Sequence, residues 1–126
     1  MPDFITASYL TDFQRGYFEA AEWVGVIEDE ITSEPDGFSP NAINNGIEDC
    51  NNFVFANVED LVLYFELSNR PADHAGHDFF LSRNGHGAGF FARGNDPVFN
   101  RLQKAAGAFG EVNYYVDPET KLIEQY

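Results

Sequence analysis

The sequence has little that could stabilise the chain covalently or anchor it in a membrane. Its 126 residues include one cysteine, Cys50, which excludes a disulfide within the chain. No segment approaches the ~20 consecutive apolar residues that a transmembrane helix needs. The N-terminus lacks the basic stretch and apolar run of a signal peptide. We therefore expect a cytoplasmic protein with no membrane contact.

Basic residues are also scarce. Seven Lys and Arg stand against 21 Asp and Glu, and the formal net charge is −14. Such a charge opposes attraction to nucleic-acid phosphates and to anionic membrane surfaces. The excess is concentrated in residues 1–70, where Arg15 and Arg70 are the only basic residues. The composition predicts no direct binding of nucleic acid and favours a positively charged partner.

What the sequence does have is aromatic and apolar residues. The chain is 44% hydrophobic and contains 13 Phe, enough to build a core. The length is typical of one domain, and two halves of ~60 residues would each bury little surface without a disulfide or a metal. We expect a single domain over residues 1–126, with an acidic helical part at 1–70 and a hairpin-helix-hairpin part at 71–126.

Local signals predict three helices in the acidic part. Thr11 and Gln14 form a capping box, and apolar residues at helical spacing extend the predicted helix over 11–27. A second helix is predicted to start at Ser39-Pro40, which provides a cap and a proline at the first helical position. Asn57 precedes a third helix that is apolar almost all round, so we expect it at the buried centre.

The second part of the chain is read as strands around one helix. Residues 77–92 are rich in aromatics and contain the turn pair Asn84-Gly85, which predicts a β-hairpin. Asp96-Pro97 predicts a helix over 96–108, and residues 111–124 predict a second hairpin. The expected fold class is α+β: N-terminal acidic helices packed on a small antiparallel sheet built from two β-hairpins with an intervening helix.

The acidic residues suggest a partner-binding face. At about 100° per residue, the carboxylates of the first helix lie opposite its apolar stripe, and further acidic residues follow. Closely spaced carboxylates can occupy the basic groove of a DNA-binding enzyme as DNA does, and opposite charge speeds association. The same charge could instead serve only solubility. The predicted face consists of Asp12, Glu19, Glu22, Glu28, Asp29, Glu30, Glu34 and Asp36.

A glycine-rich segment suggests a different kind of site. Residues 83–89 could offer backbone N–H groups and positive side chains to a nucleotide or a small signalling molecule. The segment lacks the Gly-Lys-Ser/Thr ending of a P-loop, and its glycines could simply form a tight hairpin. The residues of this alternative ligand site are His77, Arg83, Asn84, His86 and Arg93.

We expect no metal, no cofactor and no catalytic residue. His74 and His77 lie near Asp73 and Asp78, but in a strand His77 and Asp78 would point to opposite faces, and four closed ligands are missing. Cys50 follows Asp49, whose charge would raise the thiol pKa and make it a poor nucleophile. These observations favour a protein that is not an enzyme.

Residues 77–91, His-Asp-Phe-Phe-Leu-Ser-Arg-Asn-Gly-His-Gly-Ala-Gly-Phe-Phe, carry a resemblance. The segment is similar to GHDFWLTRNGHGAGFWDRG in a family of small uncharacterised bacteriophage proteins. Where those proteins tend to have an acidic residue before Arg-Gly, this chain has Ala92-Arg93-Gly94. The resemblance covers the second half of the chain and implies a viral origin, but no mechanism.

Charge and resemblance together predict an inhibitor. The expected function is a phage-derived inhibitor of a host nucleic-acid-binding defence enzyme, a restriction or CRISPR nuclease, that acts by DNA mimicry in the host cytoplasm. The alternatives are a nucleotide-binding or signalling-molecule-binding protein, or a structural protein of the virion. Exposed aromatics, for which Phe18, Phe38 and Tyr126 are the candidates, could seat a homodimer.

Overall fold

The fold is mostly helical, with one small antiparallel sheet near the C-terminus. The computed structural model describes residues 10–24, 37–85 and 89–126, with the backbone alone at 23 and 24. None of the described helices is long and apolar enough to cross a membrane. The described elements are α1 (Asp12–Val24), α2 (Pro40–Ala56), α3 (Val58–Ser68), α4 (Ala72–Arg83), a 3₁₀ turn (Phe90–Arg93), α5 (Pro97–Gly107), β1 (Tyr114–Val116) and β2 (Ile123–Gln125).

Three predicted helix starts are confirmed by their caps. The backbone N–H of Gln14 donates to Thr11 Oγ1, and the backbone N–H of Thr11 donates to Gln14 Oε1, each at 3.1 Å. These two hydrogen bonds complete the capping box. Ser39 Oγ accepts from the N–H of Ala42, and Asp96 Oδ1 accepts from the N–H of Val98. The predicted end of the first helix, at residue 27, lies outside the described residues.

Helices α1 and α4 cross with their backbones in direct contact. A Cβ atom added to Gly16 would lie 1.9 Å from the Asp73 carbonyl oxygen, and one added to Gly76 would lie 2.0 Å from the Phe13 carbonyl oxygen. Both distances are far below any van der Waals contact. Only glycine at these two positions allows the crossing, as at other sites of close backbone approach.

The predicted hairpin over residues 77–92 is wrong. Residues 77–83 belong to α4, and Phe90–Arg93 forms the 3₁₀ turn. Aromatic residues favour strands, but α4 is buried on nearly every side, so its sequence shows no helical alternation of apolar and polar residues. Tertiary packing against α1 therefore decides the conformation. Residues 86–88 lie outside the described part of the chain.

The predicted second hairpin is confirmed, so the described sheet consists of one hairpin instead of two. β1 and β2 pair antiparallel, with Tyr114 opposite Gln125 and Val116 opposite Ile123. Phe38 joins this edge through a parallel bridge to Ile123, which ties the start of α2 to the C-terminal strand. The α+β class holds, with the helices supplying most of the structure.

The core is a cluster of stacked aromatic rings, and α3 is not its centre. Phe53 of α2 stacks on Phe79 of α4 at 4.2 Å between ring centroids, and Phe79 also packs against Tyr17 of α1. In α3 only Leu61 and Tyr64 are buried, so the prediction of a buried central helix is wrong. Apolar residues lie almost all round α3, and composition does not show which of its sides another element covers.

Two of the aromatics predicted to be exposed are buried. Phe18 is 0% and Phe38 is 4% exposed, and their rings lie 5.2 Å apart. Tyr126 is 81% exposed and is the one of the three that a partner could contact. A homodimer seated on Phe18 and Phe38 is therefore excluded in this fold.

The α1–α4 crossing gives a direct stability test. We expect Gly76→Ala to lower the free energy of unfolding by about 2 to 3 kcal/mol, because the new methyl group collides with the Phe13 backbone. Gly107→Ala is the matched control, since nothing lies within 4 Å of a Cβ there. Urea unfolding followed by circular dichroism measures both. Equal stability of the two variants would contradict direct backbone contact.

Candidate interaction surface

Arg83, at the end of α4, is buried and its donors are satisfied within the fold. Its Nη1 donates to Asp49 Oδ2 at 2.8 Å and to the Tyr17 hydroxyl at 3.0 Å, and its Nε donates to the Gly110 carbonyl at 2.9 Å. The guanidinium also lies 5.6 Å from the ring centroid of Phe79. The side chain is 5% exposed. Through these hydrogen bonds, this arginine of α4 connects α1, α2 and the residues after α5.

Asp78, also on α4, is fully buried and paired. Arg93 Nη2 and Nε donate to its Oδ1 and Oδ2 at 2.8 and 3.0 Å in a bidentate arrangement. The Tyr64 hydroxyl donates to Asp78 Oδ2 at 2.8 Å. The pKa of Tyr64 is raised, mainly by burial and to a lesser extent by the negative charge of Asp78. The pair anchors the 3₁₀ turn and α3 to α4.

These pairs leave few positive charges free at the surface. Arg101 binds Asp60 of α3 in an exposed bidentate pair, and Arg15 pairs with Asp12. Four of the five arginines thus meet a carboxylate of the same chain. The segment 40–68, which spans α2 and α3, contains no Lys, Arg or His. Its exposed side chains are therefore asparagine, acidic or apolar residues, with no basic side chain among them.

The outward side of α3 combines apolar and acidic side chains. At about 100° per residue, Glu59 and Glu66 lie along its middle, with Val58 and Val62 on one flank and Leu63 and Leu67 on the other. All six side chains are exposed. We call these six residues together with Phe55, the last aromatic of α2, the α2–α3 surface. Phe55 is 86% exposed, an unusual position for a large aromatic side chain.

A mostly apolar groove adjoins this surface. It has a volume of about 590 Å³ and runs between the first turn of α1 and the junction of α2 and α3. Val54, Phe55 and Val58 line one side, and Thr11 and Phe13 line the other. A concave apolar region beside exposed apolar side chains is typical of a protein-binding site. Sequence reasoning missed the groove because its lining residues come from separate helices, whose relative placement no local pattern shows.

The structure describes only part of the predicted acidic face. Asp12 is paired with Arg15, Glu19 Oε1 lies 3.2 Å from His77 Nε2, and Glu22 is exposed on α1. Asp12 and Glu19 therefore already contact a basic or imidazole side chain of the same chain. The remaining predicted members, Glu28, Asp29, Glu30, Glu34 and Asp36, lie outside the described residues.

In the described part of the alternative ligand site, both arginines are paired with carboxylates of the chain. Arg83 and Arg93 are held by Asp49 and Asp78. Asn84 donates from its side-chain nitrogen to the Phe80 carbonyl and accepts from the Val112 N–H, so it caps α4 and fixes the segment after α5. These three side chains stabilise the fold. His77 lies on α4 instead of a strand, and His86 is outside the described residues.

His77 instead lies among potential metal ligands. Glu19 of α1 and Asp73 and His77 of α4 place one ligand atom each within 4.8 Å of one another. The expectation of no metal site had two grounds: a strand in which His77 and Asp78 diverge, and the lack of four closed ligands. The strand is wrong, because His77 and Asp78 lie on α4. Helical spacing of Asp73 and His77, four positions apart, is the signal that could have identified the group.

Comparison with protein-family models, with curated proteins and with solved structures gives no match to this chain. The resemblance to bacteriophage proteins therefore stays a prediction. The function of the α2–α3 surface is inferred from the charge and the apolar character of its side chains.

The buried pair of Asp78 and Arg93 predicts a large mutational effect. We expect Asp78→Asn to lower the free energy of unfolding by about 3 kcal/mol, because the fully buried carboxylate that holds the partly exposed Arg93 guanidinium and accepts from Tyr64 would lose its charge. Asp60→Asn, which breaks the exposed pair with Arg101, is the control and should cost much less. Chemical denaturation measures both, and similar losses would contradict the assignment of Asp78 to the buried network.

Buried tyrosines predict a loss of stability at alkaline pH. Burial raises the pKa of Tyr17 and Tyr64, and it raises the pKa of Tyr114 to about 12. Because an unfolded tyrosine ionises near pH 10, their contribution to stability is complete below about pH 10 and declines as the pH rises towards 12.

Tyrosinate absorbance and far-ultraviolet circular dichroism followed together between pH 9 and about 12.5 test this expectation. We expect part of the absorbance to appear only as the helices unfold. Complete ionisation near pH 10 with the helices intact would contradict the burial of these hydroxyls.

Proposed function

We propose that this chain is a non-enzymatic binding protein whose α2–α3 surface docks on a basic surface of a partner protein. The observation that carries the proposal is the composition of that surface. Exposed apolar side chains flank two carboxylates there with no basic residue, while four arginines are held in ion pairs with carboxylates of the chain.

Apolar side chains would supply the affinity. Binding energy in protein interfaces concentrates in a few large side chains that become fully desolvated, with aromatics prominent among them. Phe55, at 86% exposure beside the groove, fits this role, and Val58 and Val62 extend its apolar area. These three side chains argue against a role in solubility alone, because exposed apolar area lowers solubility.

Carboxylates would select the partner. Glu59 and Glu66 lie between the apolar flanks of α3, so a docked protein must place positive or hydrogen-bonding groups against them. The net charge of −14 adds long-range attraction towards any basic surface and repels nucleic acid. Nucleic-acid-binding enzymes carry basic surfaces that also contain apolar and aromatic side chains. They are the class of partner that this chemistry fits.

The effect on such a partner would be inhibition. A protein that covers the basic surface competes with the phosphates that the surface binds. The resemblance of residues 77–91 to bacteriophage proteins suggests a host restriction or CRISPR nuclease as the partner. Relative to the face predicted on α1, the proposed contact moves to α3, because Asp12 and Glu19 already have partners in the chain.

A competition assay tests the proposal. Purified restriction and CRISPR nucleases bind fluorescently labelled duplex DNA, and the chain is titrated in at low and at high salt. We expect displacement of DNA from at least one nuclease, with weaker displacement at high salt because charge attraction is screened. The double variant Glu59→Lys and Glu66→Lys should need at least about tenfold more protein for the same displacement.

The matched control is Glu111→Lys with Glu119→Lys, two exposed carboxylates outside the α2–α3 surface, which changes the net charge equally. It should compete nearly as well as the original chain. Equal loss in both double variants would show that net charge alone matters, and equal activity in both would refute the assigned surface. Light scattering of the free protein identifies self-association of the same surface, which would also contradict the proposal.

A further inference from the structure

Three metal-ligating side chains meet where α1 and α4 cross. Glu19 comes from α1, and Asp73 and His77 lie one turn apart on α4. One ligand atom of each lies within 4.8 Å of the other two, and His77 Nε2 is 3.2 Å from Glu19 Oε1. Two ligands bonded to the same tetrahedral zinc ion at ~2.0 Å are about 3.3 Å apart. The 3.2 Å separation of the imidazole and the carboxylate therefore fits a shared ion.

The backbone contact of the two helices holds these groups together. The space beside Gly16 is filled by the Asp73 backbone, and the space beside Gly76 is filled by Phe13 and Tyr17. Because neither helix can shift towards the other, the fold sets the separation of the Glu19 backbone from the backbone of Asp73 and His77. Such preorganisation lowers the entropic cost of collecting ligands around an ion.

The surroundings suit an ion that enters from solvent. The side chains of His77 and Glu19 are 14% and 35% exposed, so the group is half-buried and reachable. The His74 ring stacks on that of His77, with 5.5 Å between centroids and 22° between planes, which fixes the ring orientation. His74 Nδ1 is itself buried without a hydrogen-bond partner among the described residues.

We propose that Glu19, Asp73 and His77 form a binding site for a divalent transition-metal ion, with Zn²⁺ as the fitting probe. One imidazole with two carboxylates suits Zn²⁺ better than Mg²⁺, which prefers oxygen ligands and water. Three protein ligands leave one position of a tetrahedral ion for water. Ion binding neutralises the two carboxylates that face each other across the helix crossing, so it stabilises the fold. This site is independent of the α2–α3 surface.

Calorimetry of the chelator-treated full chain with Zn²⁺ and, separately, Mg²⁺ is the first experiment. We expect one Zn²⁺ per chain, weaker or no binding of Mg²⁺, and a higher melting temperature with Zn²⁺. Asp73→Asn, Glu19→Gln and His77→Gln should each weaken Zn²⁺ binding at least about tenfold. Glu48→Gln, an exposed carboxylate on α2, is the matched control and should bind like the original chain.

A second readout separates a metal site from a purely structural network of charges. With only three histidines in the chain, proton NMR can follow the His77 ring, which should shift on addition of Zn²⁺ and not in Asp73→Asn. Without metal, Asp73→Asn should still fold, because asparagine keeps the size of the side chain and removes one of two facing negative charges.

Three results would overturn the proposal: no binding of Zn²⁺, Zn²⁺ binding that the three variants leave unchanged, or a loss of binding in Glu48→Gln equal to theirs. If His77→Gln does not fold, the two carboxylate variants still decide the question.

Discussion

The direct contact between the backbones of α1 and α4 is the constraint on which the rest of the structure depends. Gly16 and Gly76 remove the two side chains that would separate the helices, and the Phe13, Tyr17 and Phe79 rings can then pack across the crossing. The same contact brings Glu19 beside the ligands on α4. A methyl group at either glycine would therefore disturb the aromatic core and the proposed metal site together.

Helix α4 also determines how charge is distributed over the molecule. It buries Asp78 and Arg83, and each recruits an oppositely charged residue from another element, Arg93 from the 3₁₀ turn and Asp49 from α2. Buried charges are tolerated because they are paired and hydrogen-bonded. Each pair takes up one positive and one negative charge, so the acidic character of the chain follows from its excess of 21 Asp and Glu over seven Lys and Arg. The α2–α3 surface itself contains no basic residue.

The two proposed sites use different properties of the same fold. The α2–α3 surface is exposed, apolar and negative, so it suits a large partner with complementary charge. The group of Glu19, Asp73 and His77 is half-buried and rigidly placed, so it suits a small cation. Neither needs the other, and neither needs the free positive charge that the glycine-rich segment was expected to supply.

The sequence by itself determined the features that local chemistry controls. The capping box at Thr11, the caps Ser39 and Asp96 and the C-terminal hairpin were all predictable, because each depends on residues close together in the chain. Only the tertiary structure decided that residues 77–83 are helical and that α3 is half exposed. A helix buried on nearly every side has no periodic signal, and an apolar residue does not reveal whether a neighbour covers it. The α2–α3 surface and the proposed metal site depend on those two outcomes.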